Sequence, residues 1–179
     1  TVCAAIRDDI RSSMESVQNL ALSAVGNKGG KRITAALAPD VREVLFSRGT
    51  FPAVRRRAAV TMLRLVRVDP TVLPLAEYGG RVVALLDDSD FGVKQAVLAL
   101  MLGLSPKSPE NFVSCVPHVV RLLHLVCGRR IREDYIYHHT YAPFFQVRCL
   151  RLLQVFEKPS DASINTMLND ALRHIMTHT

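Results

Sequence analysis

Four arginines could form an anion-binding surface on one predicted helix. The segment Val54–Val68 carries apolar residues at helical spacing and ends just before Asp69–Pro70, so it predicts an α-helix. At about 100° per residue, the apolar side chains fall on one half of this helix and four basic ones on the other: Arg56, Arg57, Arg64 and Arg67. Guanidinium groups pair with phosphate, so this face is a candidate site for an inositol lipid headgroup. A solvated outer face, or ion pairs to neighbouring helices, explains the same pattern without a ligand.

Histidines are the only candidate metal ligands. His174 and His178 are four residues apart, so both could reach one metal ion from a single helical face. Ile175 stands where a zinc protease would have its general-base glutamate, and His138–His139 lies in a predicted loop. Because no glycine-rich phosphate loop or nucleophile motif is present either, we predict no metal, no cofactor and no enzymatic activity.

A second basic cluster lies in a predicted linker over residues 129–143. It contains Arg129, Arg130 and Arg132 and is followed by aromatic residues from Tyr135 to Phe145. Arginines interleaved with exposed aromatics would suit a single-stranded nucleic acid. We expect these aromatics to pack beside a core helix instead, so nucleic acid is not a predicted partner.

Composition favours a helical core. Of 179 residues, 49% are apolar, and the net charge is +7. That basic balance permits an acidic protein, an anionic lipid or a nucleic acid as partner without choosing among them. The four cysteines are far apart in sequence and three of them lie in apolar helical patterns, which predicts reduced, buried thiols. No apolar run approaches the roughly 20 residues of a membrane-spanning helix. The chain begins with Thr1, so we expect a piece of a longer polypeptide.

Helical periodicity and turn signals divide the chain into short helices. Gly26 is predicted to end the second helix, Pro39 to cause a break or a kink between Arg32–Leu37 and Val41–Phe46, and Pro117 could bend a later helix. The predicted helices are Val2–Arg11, Met14–Val25, Arg32–Leu37, Val41–Phe46, Val54–Val68, Arg81–Leu86, Val93–Leu104, Glu110–Cys127, Phe145–Phe156 and Asp161–Met176.

A short phrase recurs at the start of alternate helices. It centres on Val17, Val54, Val93 and Val147, at intervals of 37, 39 and 54 residues. A period near 40 built from two helices is typical of HEAT and armadillo repeats, and the linker 129–143 accounts for the longer last interval. We therefore predict an all-α fold, a right-handed α-solenoid of about four HEAT/armadillo-like helix pairs, with residues 1–179 forming one repeat domain.

Several phrases in one order resemble a known family. They are AAVTMLRLVRVDPTVLP within Arg55–Pro74, RVVALL, SPENF and DYIYHHTYAPFFQVRCLRLLQVF, and the resemblance covers most of the chain from about Arg7 to Phe156. This order is similar to the trunk of the adaptins, the large chains of clathrin adaptor complexes. PFFQVRCLRLL also resembles the gamma type of the trans-Golgi and endosomes, whereas Asp134–Tyr135, Tyr137 and Ala142–Pro143 favour the alpha type of the plasma membrane.

The resemblance implies a scaffold that holds other adaptor subunits and, indirectly, clathrin and cargo. It also implies contact with phosphoinositide membrane through the parent complex, and a cytoplasmic location at coated pits. No binding residue of the family has a matching motif here. A gamma-type adaptor and a generic HEAT-repeat transport scaffold remain as alternatives.

Overall fold

The fold is built almost entirely from α-helices. The structure, a computed structural model, describes residues 2–128 and 131–178, except for the side chain of His178. Within these residues the helices are α1 (Val2–Ile10), α2 (Glu15–Lys28), α3 (Lys31–Phe46), α4 (Pro52–Val68), α5 (Leu75–Ala84), α6 (Phe91–Leu104), α7 (Cys115–Cys127), α8 (Pro143–Leu153) and α9 (Ala162–His178). The predicted all-α class is confirmed. None of the described helices is both long and apolar enough to cross a bilayer.

The chain forms two compact units, Thr1–Gly103 and Leu104–Thr179. In the first, α1 packs against α2 and α3, and α4 packs against α2 and α3. The Thr61 hydroxyl on α4 donates a buried hydrogen bond of 3.0 Å to the Leu22 carbonyl on α2. Alternate helices therefore lie side by side, which is how repeat helix pairs cover one another's apolar faces.

The predicted break at Pro39 is wrong, because α3 continues through it. Proline removes one helical hydrogen bond and usually costs about 3 kcal/mol in a helix interior. Here the next residue, Asp40, is buried and accepts hydrogen bonds from Arg7 (3.0 Å) and Arg11 (2.8 Å) on α1. Arg7 also donates to the Ala36 carbonyl at 2.8 Å. These contacts hold α3 against α1 on both sides of the proline and offset the local preference for a break.

Three other predicted boundaries are also wrong. Helix α2 continues past Gly26 to Lys28, where the Gly29 amide bonds the Val25 carbonyl. Helix α5 begins at Leu75, and the predicted Arg81–Leu86 helix is its last part followed by a 3-10 turn. Helix α7 begins at Cys115, so Pro117 sits in the first turn, where its missing N–H has no helical partner to lose.

The second unit is centred on α7, which packs against both α8 and α9. Its apolar cluster joins Val116 and Val120 on α7 to Ile164 on α9. The Asp161 carboxylate caps α9 by accepting from the amides of Ser163 (2.7 Å) and Ile164 (3.0 Å). The thiols of three cysteines are free and buried, which confirms that prediction: Cys115, Cys127 and Cys149.

The predicted linker contains a small hairpin. Strands β1 (Ile136–Tyr137) and β2 (Thr140–Tyr141) pair antiparallel, with Ile136 opposite Tyr141. The two-residue turn is His138–His139, and both residues have positive φ (45° and 63°), as a type I′ turn requires. Gln146 on α8 donates to the Tyr141 carbonyl at 2.7 Å and fixes the hairpin to the helix that follows.

Helix α8 is less buried than the sequence suggested. Four of its residues are buried, against eight in α7. The apolar residues between Cys149 and Phe156 leave only a narrow polar strip and predict one of the most buried helices of the chain. Phe144 is 67% exposed and Val147 is 52% exposed, so this prediction is wrong. Val17, Val54 and Val93 are each the third residue of their helix, whereas Val147 is the fifth of α8. The fourth copy of the repeated phrase is therefore out of register with the others.

Candidate interaction surface

The four candidate arginines lie together on the outer face of α4. All four are exposed, and Val54, Ala58, Ala59 and Met62 on the opposite side are fully buried. Helical geometry places the four Cα positions within an arc of about 100° and along about 16 Å of the axis. We call this surface the basic face of α4: Arg56, Arg57, Arg64 and Arg67.

Arg56 lies against the start of α6. Its Nε is 4.0 Å from the Asp90 carboxylate, and that carboxylate caps α6 by accepting from the Val93 amide at 2.8 Å. A Cβ added to Gly92 would lie 2.5 Å from Arg56 Cδ, so glycine makes room for the arginine there. Arg56 therefore links neighbouring helix pairs, which is one of the ligand-free explanations considered for the basic face.

Arg64 contacts the other neighbour of α4. It donates a hydrogen bond to the side-chain carbonyl of Asn27 at the end of α2. A Cβ added to Gly26 would lie 3.3 Å from Thr61 Oγ1 and 3.5 Å from Arg64 Cδ, so α2 and α4 approach closely at this point. Arg64 is thus held in place from the side.

Arg57 and Arg67 have a different environment. Both are exposed, and within the described part of the chain neither forms a hydrogen bond or an ion pair. The basic face thus combines two arginines held from the side with two that are open to a partner. Binding of an inositol lipid headgroup there stays a prediction.

Sequence reasoning missed Arg55, the first arginine of the same run. It is 6% exposed and forms an ion pair of 2.8 Å with Asp88, which is itself largely buried. Arg55 also donates to the carbonyls of Thr50 and, at 3.4 Å, Arg48. It precedes Ala59 and Met62 by four and seven residues, a spacing that places it on the buried side of the helix. Its partner is 33 residues away, and no local pattern reveals that.

A cleft of about 430 Å³ lies beside this ion pair. Arg81 lies over the Phe46 ring at 4.4 Å and over the Tyr78 ring at 5.2 Å, and Arg42 lies over Tyr78 from α3. Three guanidinium groups and two carboxylates line the cleft: those of Arg48, Arg55, Arg81, Asp87 and Asp88. Since the charges of both signs are mixed, the cleft has no clear preference for an anion, and its contacts join α3, α4 and α5.

The remaining sequence candidates do not converge on one site. Arg129 and Arg130 are outside the described residues, as is the side chain of His178. Arg132 is exposed and pairs with Asp134 at 2.9 Å. The ring of Tyr137 lies 5.9 Å from that of Phe144 on α8, so this pair packs beside that helix, although both side chains are exposed.

Burial is the main influence on the chemistry of these cysteines. It raises the pKa of the Cys115 thiol to about 12, and it also raises the pKa values of Cys127 and Cys149. Thiols of this kind stay protonated at neutral pH and are poor nucleophiles. They serve as small apolar core residues in the second unit.

Comparison with known proteins agrees with the resemblance seen in the sequence. The adaptin N-terminal region matches residues 1–178. The AP-2 complex subunit alpha-1 of Arabidopsis thaliana is 35% identical over 175 residues, which is 97% of this chain and 17% of that protein. The AP-2 complex subunit alpha-2 of Dictyostelium discoideum is 28% identical over 174 residues, which is 97% of this chain and 18% of that protein.

A gamma-type relative matches with lower identity. The AP-1 complex subunit gamma-like 2 of Mus musculus is 27% identical over 177 residues, or 97% of this chain and 22% of that protein. The chain spans about a sixth of the length of the alpha subunits that it matches. Because the N-terminal region of the adaptins matches the chain over nearly its whole length, the chain belongs to the adaptin family.

Proposed function

We propose that the chain is a scaffold section of the large, alpha-type subunit of a clathrin adaptor complex. Its role is structural rather than enzymatic, in clathrin-mediated endocytosis and vesicle-mediated protein transport. The observation that carries this proposal is the 35% identity to an AP-2 alpha subunit over 97% of the chain. The proposed location is cytoplasmic and peripheral, on the plasma membrane at coated pits.

The packing in the first unit supports a scaffold role. The Arg55–Asp88 pair joins α4 to the turn before α6, and Asp40 joins α3 to α1 through two arginines. Loss of either Arg55 or Asp88 would leave the other charge buried without its partner, and loss of the arginines would do the same to Asp40, so these contacts favour one arrangement of neighbouring helices. A section with a defined helix arrangement can hold other subunits at fixed positions.

The proposed partners follow from family membership. They are the other subunits of the adaptor complex, with clathrin and cargo reached indirectly and phosphoinositide membrane reached through the parent complex. No nucleic acid is proposed. A gamma-type adaptor of the trans-Golgi and endosomes is the second candidate, favoured by the match to the mouse gamma-like subunit. A generic HEAT-repeat transport scaffold is the third.

Fluorescence imaging of the tagged full-length protein distinguishes these candidates. The alpha-type proposal predicts spots at the plasma membrane that coincide with clathrin and disappear as each coat disassembles. Perinuclear spots that coincide with a trans-Golgi marker would favour the gamma type. A diffuse or nuclear-envelope signal without clathrin would favour a generic transport scaffold.

A further inference from the structure

Three arginines of the basic face of α4 form a regular stripe together with Val60. Arg57, Val60, Arg64 and Arg67 follow one another at three, four and three residues, so they lie along one line of the helix. Helix α4 contains five arginines and no acidic residue among its 17 positions. Within residues 2–128 and 131–178, its ionic contacts reach Asp88 and Asp90, and both involve arginines outside this stripe. We call these four residues the α4 stripe.

The stripe is electrostatically unfavourable in isolation. Arg64 and Arg67 are three residues apart, and like charges at this spacing destabilise a helix by about 0.2–0.5 kcal/mol. Neither Arg57 nor Arg67 has a compensating carboxylate within the described residues. An anionic partner would relieve this repulsion on binding, and the same charges would speed its approach.

The side chains of the stripe favour a protein over a lipid surface. All its basic residues are arginines, which are enriched at protein interfaces while lysines are depleted there. Val60 is exposed between them and offers apolar contact area. Arg64 is already held by Asn27, so less side-chain freedom is lost when a partner carboxylate binds it. A single ridge of side chains along α4 can also pack into the groove of a second helix.

We propose that the α4 stripe is a docking site for an acidic helical segment of a partner polypeptide. Carboxylates at the same three, four and three spacing would face the three guanidinium groups and cover Val60 between them. This spacing reads the same in both directions, so it suits a parallel or an antiparallel partner helix. The proposal concerns α4 alone and does not depend on the complex to which the chain belongs.

A peptide titration against the full chain tests the proposal. The probe is a fluorescent helical peptide with glutamates three, four and three residues apart, compared with a scrambled peptide of the same composition. We expect the scrambled peptide to bind several-fold more weakly. The pair Arg57→Glu and Arg67→Glu should weaken binding of the ordered peptide about tenfold, since two attractions become repulsions.

A matched pair of reversals controls for net charge. Arg121→Glu with Arg151→Glu changes two exposed arginines on α7 and α8, so the total charge falls equally. This pair should change the affinity less than twofold, and thermal denaturation should show that both variants fold. Equal losses for both pairs, or equal binding of ordered and scrambled peptides, would overturn the proposal.

Vesicles of phosphatidylcholine, with and without phosphatidylserine, complete the test. The docking proposal predicts that reversing the charges of Arg57 and Arg67 weakens binding to the peptide more than binding to the vesicles. If the reversal abolished binding to phosphatidylserine vesicles while peptide binding was unchanged, the stripe would be a membrane contact and the proposal would be wrong.

Discussion

Removing the Asp88 carboxylate should destabilise the first unit more than any exposed charge change. Arg55 and Asp88 keep only 8% and 11% of their side-chain surface exposed, and the ion pair is 2.8 Å long. Breaking a buried pair by deleting one partner costs about 3–5 kcal/mol, because the other charge stays buried. Asp88→Ala also removes the acceptor for the Asp90 amide, which adds about 1 kcal/mol.

A double replacement tests whether the cost of Asp88→Ala comes from the buried, unpaired charge of Arg55 or from the loss of the ion pair itself. Arg55→Met together with Asp88→Leu leaves no buried charge, so its free energy of unfolding should lie much closer to that of the unchanged protein. The carbonyl of Thr50 then loses its donor, which leaves a smaller deficit. Arg55→Met, Asp88→Leu, the double variant and the unchanged chain form a thermodynamic cycle.

Urea denaturation followed by circular dichroism provides the measurement. Asp8→Ala is the matched control, because Asp8 is exposed on α1 and should change the free energy of unfolding by less than about 0.5 kcal/mol. If Asp88→Ala were no more destabilising than Asp8→Ala, the buried pair would not hold α4 to the turn before α6. If the double variant were as unstable as Asp88→Ala, the explanation from an unpaired charge would be refuted.

Three further predictions follow from other parts of the fold. Asp40→Ala should cost only about 1–2 kcal/mol in urea denaturation, because its two arginine partners on α1 are partly exposed and can be solvated; a loss as large as that of Asp88→Ala would contradict this. Cys115 should not react with a thiol reagent at pH 8 in the folded chain, and rapid labelling there would show that it is not buried. Its pKa is raised from 9.0 to about 12 in the folded chain. The free energy of unfolding should therefore be unaffected below pH 9 and fall between pH 9 and 12, because the thiol ionises first in the unfolded chain. His139→Gly should increase the free energy of unfolding by about 0.5–1 kcal/mol and so raise the melting temperature slightly, because glycine adopts the positive φ of this position without strain. A lower melting temperature would indicate that the imidazole has a packing role.

The sequence predicted well those features that depend on local periodicity. Helix α4 was placed within two residues of its observed start, and α9 within one. The outward position of the basic face also followed from helical spacing alone. These features succeed because each is decided by residues within a few turns of one another.

Features that depend on distant contacts were not predictable in this way. Pro39 lies inside a continuous helix because Arg7 and Arg11, about 30 residues earlier, bind Asp40. Arg55 is buried because Asp88 is available to neutralise it. The sequence alone does not single out Asp40 or Asp88 as the partner of these arginines, since several other carboxylates lie at a similar separation along the chain.

The second unit shows the limit of the repeat pattern. Val147 matches the repeated phrase in sequence, yet Gln146 is the buried residue there because its side chain bonds the hairpin at Tyr141. The inserted hairpin therefore changes which face of α8 is buried. It also leaves Tyr137 and Phe144 exposed.

The most direct test of the adaptor proposal is recovery of the full-length protein with its natural partners. Affinity purification at natural abundance, followed by mass spectrometry, should recover a small sigma-type adaptor subunit in equal amount, together with clathrin heavy chain. Recovery with neither, under conditions in which a known adaptor subunit retains both, would contradict the assignment of this chain to a clathrin adaptor complex.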